Sequence, residues 1–218
     1  MSSKKIWESI YSKKEQVNIV PYTDVFTFVL SFFKGNAQGK KLLELGCGTG
    51  NNIAFAKWAL GLKVYGIDQS PTAISNAKEI FSKRGLDYES IEVGDIENLH
   101  FEDEYFDIIV DRATLQHNTY DSIKNIVQES YRVLKPCGVF FLTLASQTHY
   151  LFNKGKHLGG GDFFNEDQEG IRHFFSHSDI LDIFSKFEIL SWHKIARLDV
   201  ISNKMIGSIH QVGLKKPG

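Results

Sequence analysis

Hydrophobic and polar positions along the chain fall into three regimes. Up to about residue 39 the spacing is helical: Trp7, Ile10, Tyr11 and Lys14 recur with the aromatic residues on one face. Pro21 interrupts this pattern. A strongly apolar helix is expected from Asp24 to Lys34, with Thr23 or Asp24 as N-cap and Gly35 as its stop. From Lys41 onward, β-rich runs alternate with helical ones. Strands are expected from about Lys41 to Leu45, then at 63–68, 88–95, 105–111 and 137–145. Between them, IAFAKWAL (53–60) suits a helix. So does SPTAISNAKEIFSKRG, with Ser70 as N-cap, Pro71 at the first helical position and Gly85 as stop; Thr119 to Leu134 follows, closed by Pro136. Repeated βα units of this length imply a mostly parallel sheet covered by helices on both faces.

The third regime starts at Ser146. Residues 146–175 are polar and glycine-containing without clear period, a length that suits a lid rather than a connector. Ser176-x-x-Asp179 then reads as a capping box, with Ile180, Leu181, Phe184 and Phe187 on one helical face. Two last strands, 187–198 and 205–214, are joined by a link too short for a crossover helix. They are expected to form an antiparallel hairpin at the sheet edge.

Composition adds bounds. The 218 residues suit one domain spanning 1–218, with a helical cap over 1–39 and a lid insertion over 146–175. The net charge of -1 gives no reason to expect a nucleic-acid or membrane partner, although it leaves room for a local basic patch. No window approaches a membrane span, and the start of the chain lacks the apolar core of a secretory signal. Two cysteines, Cys47 and Cys137, without a C-x-x-C partner point to a reducing, cytoplasmic setting without a disulfide or zinc site. His149, His157, His173 and His177 are spaced by 8, 16 and 4, which matches no zinc signature, so no metal is expected.

Chemistry concentrates at the ends of the expected strands. LLELGCGTGNN, residues 42–52, is an apolar run with one carboxylate, Glu44, leading into Gly46, Gly48 and Gly50 and then a helix. Strand, glycine turn and helix start are how α/β sheets hold nucleotide-like ligands, although three glycines alone also suit a surface turn. The spacing is G-x-G-x-G; the dinucleotide fingerprint would need glycine where Asn51 stands. Asp68, Asp95 and Asp111 follow strands two, three and four, the end of an open sheet at which ligands lie. Asp68 is placed to accept from ribose hydroxyls, Asp95 from an adenine amine, and Ile96 can offer its backbone N–H to a ring nitrogen.

LLELGCGTGNN, VYGIDQS, VGDIENLHF, FDIIVDRATLQH and RVLKPCGVFFLT, in this order over about residues 40–145, resemble the class I S-adenosylmethionine-dependent methyltransferases, in particular small-molecule enzymes of the type 11/25 kind. The resemblance implies a Rossmann-like three-layer α/β sandwich with a seven-stranded, mostly parallel sheet of order 3-2-1-4-5-7-6, strand seven antiparallel. It implies S-adenosylmethionine as cofactor and S-adenosylhomocysteine as product. The glycine loop, with Glu44, Gly46, Cys47, Gly48, Gly50, Asn51 and Asn52, would hold the methionine end. Asp68, Gln69 and Ser70 would serve the ribose, and Asp95 and Ile96 the adenine. Asp111, Arg112 and Leu115 would lie along the cofactor cleft, and Trp7, Tyr11 and Tyr22 would close its mouth. Cys137 stands where the family more often has glycine.

The implied reaction is in-line methyl transfer to a small-molecule acceptor, a sugar or related metabolite being one candidate. His117 is the best-placed base and Arg112 a holder of an anionic group; the alternative for both is a structural hydrogen bond in the turn after strand four. Two other readings compete. One is a non-catalytic cofactor-binding or partner-binding protein on the same fold. The other is a nicotinamide-dependent oxidoreductase, disfavoured by the missing G-x-G-x-x-G, the acid after strand three and the antiparallel end.

Overall fold

The computed structural model describes residues 3–13, 18–33, 36–165 and 170–218. Two helices lead: α1 (Ser3–Ser12) and α2 (Thr23–Phe33). The alternating part follows as β1 (Lys41–Leu45), α3 (Asn51–Leu60), β2 (Lys63–Asp68), α4 (Pro71–Lys83), β3 (Ser90–Val93), β4 (Phe106–Arg112), a 3-10 turn (Leu115–His117), α5 (Tyr120–Val133) and β5 (Leu134–Ala145). Then come β6 (Lys156–Gly159), β7 (Asp162–Asn165), β8 (Gly170–His173), α6 (His177–Ile183), β9 (Glu188–Asp199) and β10 (Lys204–Lys215). Lys14 and the expected helix stop at Lys34 and Gly35 lie outside the described residues.

The main sheet has the order β3-β2-β1-β4-β5-β10-β9. Counted within this sheet, that is 3-2-1-4-5-7-6. β10 runs antiparallel to both β5 and β9, while the other neighbours are parallel. The strand labels depart from the sheet count because β6, β7 and β8 form a separate antiparallel sheet.

Alternation along the strands divides the core. Leu43 and Leu45 pack with Ile123 and Ile126 of α5 on one face. Leu42, Val64, Ile108 and Val110 pack with Val25 and Val29 of α2 and Ile53 of α3 on the other. β5 contributes to both, as Phe140 and Phe141 point to opposite layers. Each such fully buried side chain stabilises the sandwich by about 1.5–3 kcal/mol relative to exposure.

Local signals set several boundaries. Ser70 accepts the Ala73 N–H at 3.1 Å, and Pro71 opens α4. The Ser176–Asp179 capping box is closed in both directions, at 3.1 and 2.7 Å. Other expectations need correcting. β5 begins at Leu134, not at Cys137, so Pro136 lies inside the strand; the register against β4 slips there, and Cys137 takes a left-handed φ of 61°. β3 is shorter than 88–95, which leaves Asp95 beyond the strand. Leu181, expected on the buried face of α6, is 56% exposed, because it follows buried Ile180 directly and so lies about 100° round the helix from it. The expected lid insertion, residues 146–175, includes β6–β8, with Phe163 and Phe174 packed against Leu151 and Ala145.

Candidate functional site

A cavity of about 710 Å3 opens at the carboxyl ends of β1, β2, β3 and β4. One wall is the loop between β1 and α3. Gly48 has φ 53°, a left-handed conformation that a side chain strains. The Asp68 carboxylate sets this loop: Oδ2 accepts the Gly48 N–H and Oδ1 the Ser70 N–H, both at 2.9 Å. The acid at the end of β2 thus ties the glycine loop to the start of α4, and each oxygen keeps a lone pair for a further donor. Burial raises the Asp68 pKa above the usual carboxylate range.

Glu44 stands beneath the loop. Oε1 accepts the Asn52 amide at 2.6 Å, while Oε2 meets no hydrogen-bond donor among the described residues. Burial, opposed by the Asn52 bond and reinforced by the charges of Asp111 and Asp68, pushes Glu44 up to about 8. A buried carboxylate with an unsatisfied oxygen at a cavity wall is a costly arrangement that a cationic ligand relieves.

The cap comes from the first helices. Trp7, Tyr11 and Tyr22 all line the cavity. Tyr11 Oη lies over Gly48, and burial raises its phenol pKa. Glu8 holds α1 in place by accepting the hydroxyls of Ser70 and Thr72. Trp7 meets the His117 ring edge-on, with centroids 4.8 Å apart.

On the opposite side, Asp95 is exposed and closes its own turn by accepting the Glu97 N–H at 2.9 Å; Ile96 beside it packs partly onto the core. Both reach the cavity, as do Gly46, Cys47, Asn51, Asn52, Gln69 and Arg112. Four sequence candidates do not reach it. Gly50 is pressed against α4, where a side chain would stand 3.0 Å from the Ala77 methyl. Ser70 is the N-cap of α4. Asp111 is buried, and its Oδ1 accepts the N–H groups of Thr114 and Leu115 at 3.0 and 2.9 Å. Leu115 itself is core. These four support the wall from behind.

The two candidate catalytic side chains both line the cavity but are engaged differently. Arg112 is paired with Asp24, Nε to Oδ2 at 3.1 Å, donates to Thr143 Oγ1 at 3.1 Å and lies 4.2 Å over the Tyr22 ring. Its charge is therefore spent on docking α2 to β4. His117 is buried at the cavity wall; burial and the nearby Arg172 charge, against the Ile171 backbone, push it down to about 3. It is a neutral imidazole through the physiological range.

Arg172 was not legible as a site residue. It stands on β8, lines the cavity, and burial lowers its pKa. A lone arginine in an aperiodic stretch carries no motif; only the small sheet brings it to the cleft. The other histidines of residues 146–177 are dispersed. His157 bonds Gly160 O, His173 bonds Asp162, His177 stacks near Trp192, and His149 stacks on Tyr150.

Comparison with known proteins agrees with this geometry. Residues 43–142 match a family described as a methyltransferase domain. Over 110 residues, half of this chain and 43% of the relative, the sequence is 37% identical to a thiol S-methyltransferase of Rattus norvegicus. Over 108 residues, 49% of this chain and 40% of the relative, it is 32% identical to a probable phthiotriol/phenolphthiotriol dimycocerosates methyltransferase of Mycobacterium ulcerans. The matched stretch spans less than half of either relative. A SAM-dependent methyltransferase structure from Methanosarcina mazei shares the fold, with TM-score 0.72 at 21% identity over 91% of this chain and 99% of the other.

Proposed function

We propose that this chain, with a methyltransferase-domain match over residues 43–142 and the fold of a SAM-dependent methyltransferase structure, is a class I enzyme that transfers the methyl group of S-adenosylmethionine to a small-molecule acceptor. The observation that carries the reading is the convergence of Glu44, Gly46, Gly48, Asp68 and Asp95 on one cavity. Its volume is of the size that holds a nucleoside-bearing ligand.

When bound, S-adenosylmethionine supplies a methyl group already activated by the sulfonium charge. What remains for the protein is alignment and exclusion of water. In this reading the Gly46–Gly50 loop, Glu44 and Asn52 hold the methionine end, and Asp68 with Gln69 accepts from the ribose. Asp95 and Ile96 read the adenine edge. Trp7, Tyr11 and Tyr22 close the mouth and exclude water, and β8 completes the acceptor side as a wall of the lid.

His117 serves the acceptor as a hydrogen-bond acceptor that holds its proton in line, since a group pushed down to about 3 is too weak a base to remove it early. Arg112 acts as a structural tie. The acceptor side is bounded by Trp7, Gln116, His117 and Arg172. Incubation with methyl-tritiated S-adenosylmethionine and panels of sugars, nucleotide sugars, small amines and thiols tests the reading. Label transfer to one class supports it; cofactor binding without transfer to any of them supports a non-catalytic binding protein instead.

A further inference from the structure

The β9–β10 hairpin outruns the strand on which it rests. β10 pairs with β5 only from Ile209 to Lys215, and Ile209 faces Ala145, the last residue of β5. Ser208 is still held by Ser146 and Thr148, whereas residues 204–207, paired with the far end of β9, project past the parallel strands. Because β10 is antiparallel to β5, this projecting end lies at the carboxyl end of the sheet, the end at which the cavity opens.

The tip is apolar and in water. Leu198 is 52% exposed, Val200 87%, Ile201 100% and Ile206 53%. Asp199 Oδ1 accepts the Ser202 N–H at 2.6 Å and its hydroxyl at 2.8 Å, closing the turn so that Val200 and Ile201 stand outward. Around the tip cations outnumber acids: Lys194, Arg197 and Lys204 stand on the hairpin against Asp199, in a chain whose net charge is -1. Lys194, Arg197 and Lys204 are exposed on the hairpin itself.

An apolar point flanked by cations is the chemistry of insertion at an anionic interface: the side chains leave water while the cations meet headgroup charge. A second copy of this chain fits less well, since a two-fold contact would set the same cations against one another. We propose that the β9–β10 tip docks the protein on an anionic lipid surface, with the cleft end of the sheet turned toward that surface. The low net charge conceals the patch because acids elsewhere offset it.

Co-sedimentation with phosphatidylcholine vesicles, with and without phosphatidylglycerol, tests this without any methyl acceptor, so its outcome is separate from the methyltransferase reading. Binding is expected to the phosphatidylglycerol vesicles only, and to fall as salt is raised. The double variant V200S/I201S should lose it with circular dichroism and thermal midpoint unchanged. The triple variant K194Q/R197Q/K204Q should weaken it by about fivefold per cation, the ratio set by roughly 1 kcal/mol for each Lys or Arg at such a surface. The proposal is overturned if the native chain stays in the supernatant at low salt, if V200S/I201S binds as the native chain does, or if V200S/I201S abolishes a dimer in solution while vesicles are not bound.

Discussion

The Tyr11 hydroxyl occupies the concavity over Gly48: a methyl group built on Gly48 would stand 2.7 Å from Tyr11 Oη. The N-terminal helix and the glycine loop are thus in contact at a left-handed glycine of the cavity wall. Gly48→Ala should strain a residue held at φ 53° and crowd this contact together. The left-handed conformation alone costs about 1–2 kcal/mol for a residue with a side chain. Thermal denaturation should show a loss of that order, and calorimetry should show a cofactor affinity lowered by more than about tenfold. Native affinity in this variant would contradict the placement of the ligand against the loop.

S-adenosylmethionine binding should depend on pH through the buried carboxylates. Glu44 is pushed up to about 8 and buried Asp111 to about 7, with burial the main cause for both. Near neutral pH the ligand-free site therefore holds a proton that a cationic ligand expels. Affinity for S-adenosylmethionine should fall as pH is lowered through the Glu44 value, and binding should release protons, measurable as a dependence of the heat on buffer ionisation enthalpy. Stability carries the opposite sign. The folded chain retains a proton on Glu44 between about 4.5 and 8 that the unfolded chain has lost, so ligand-free stability should fall as pH rises through this window. Glu44→Gln should reduce both dependences, leaving the part carried by Asp111.

His117 should not titrate in the working range. With its pKa pushed down to about 3, kcat/KM for the acceptor at saturating S-adenosylmethionine, where the Glu44 step no longer enters, should lack an inflection near the ordinary imidazole value. His117→Ala should leave cofactor affinity unchanged and lower kcat by about tenfold, the worth of one hydrogen bond to the acceptor. An inflection near neutral pH that disappears in His117→Ala would instead make it the proton-removing base.

Much of this arrangement is legible in the chain. The glycine turn, the Asp68 strand end and the Ser70-Pro71 helix start are local signals, each fixed by a few adjacent residues. Arg112 marks where such reading stops: its position after β4 is legible, but its partner Asp24 lies 88 residues away and only folding shows the charge to be engaged. The strand start at Leu134 was hidden by Pro136, which ends helices but is tolerated at a bulge. The small sheet was hidden because all four β6 residues are exposed and its apolar contacts come from scattered phenylalanines, which leaves no period to detect. Arg172 reaches the cleft only through that sheet.

Calorimetric titration with S-adenosylmethionine, S-adenosylhomocysteine and NADH in parallel tests the central claim most directly. Micromolar binding of the first two without heat from NADH is the predicted result, with affinity lost in Gly48→Ala. Binding of NADH alone would contradict the account and assign Glu44, Asp68 and the glycine loop to a nicotinamide cofactor.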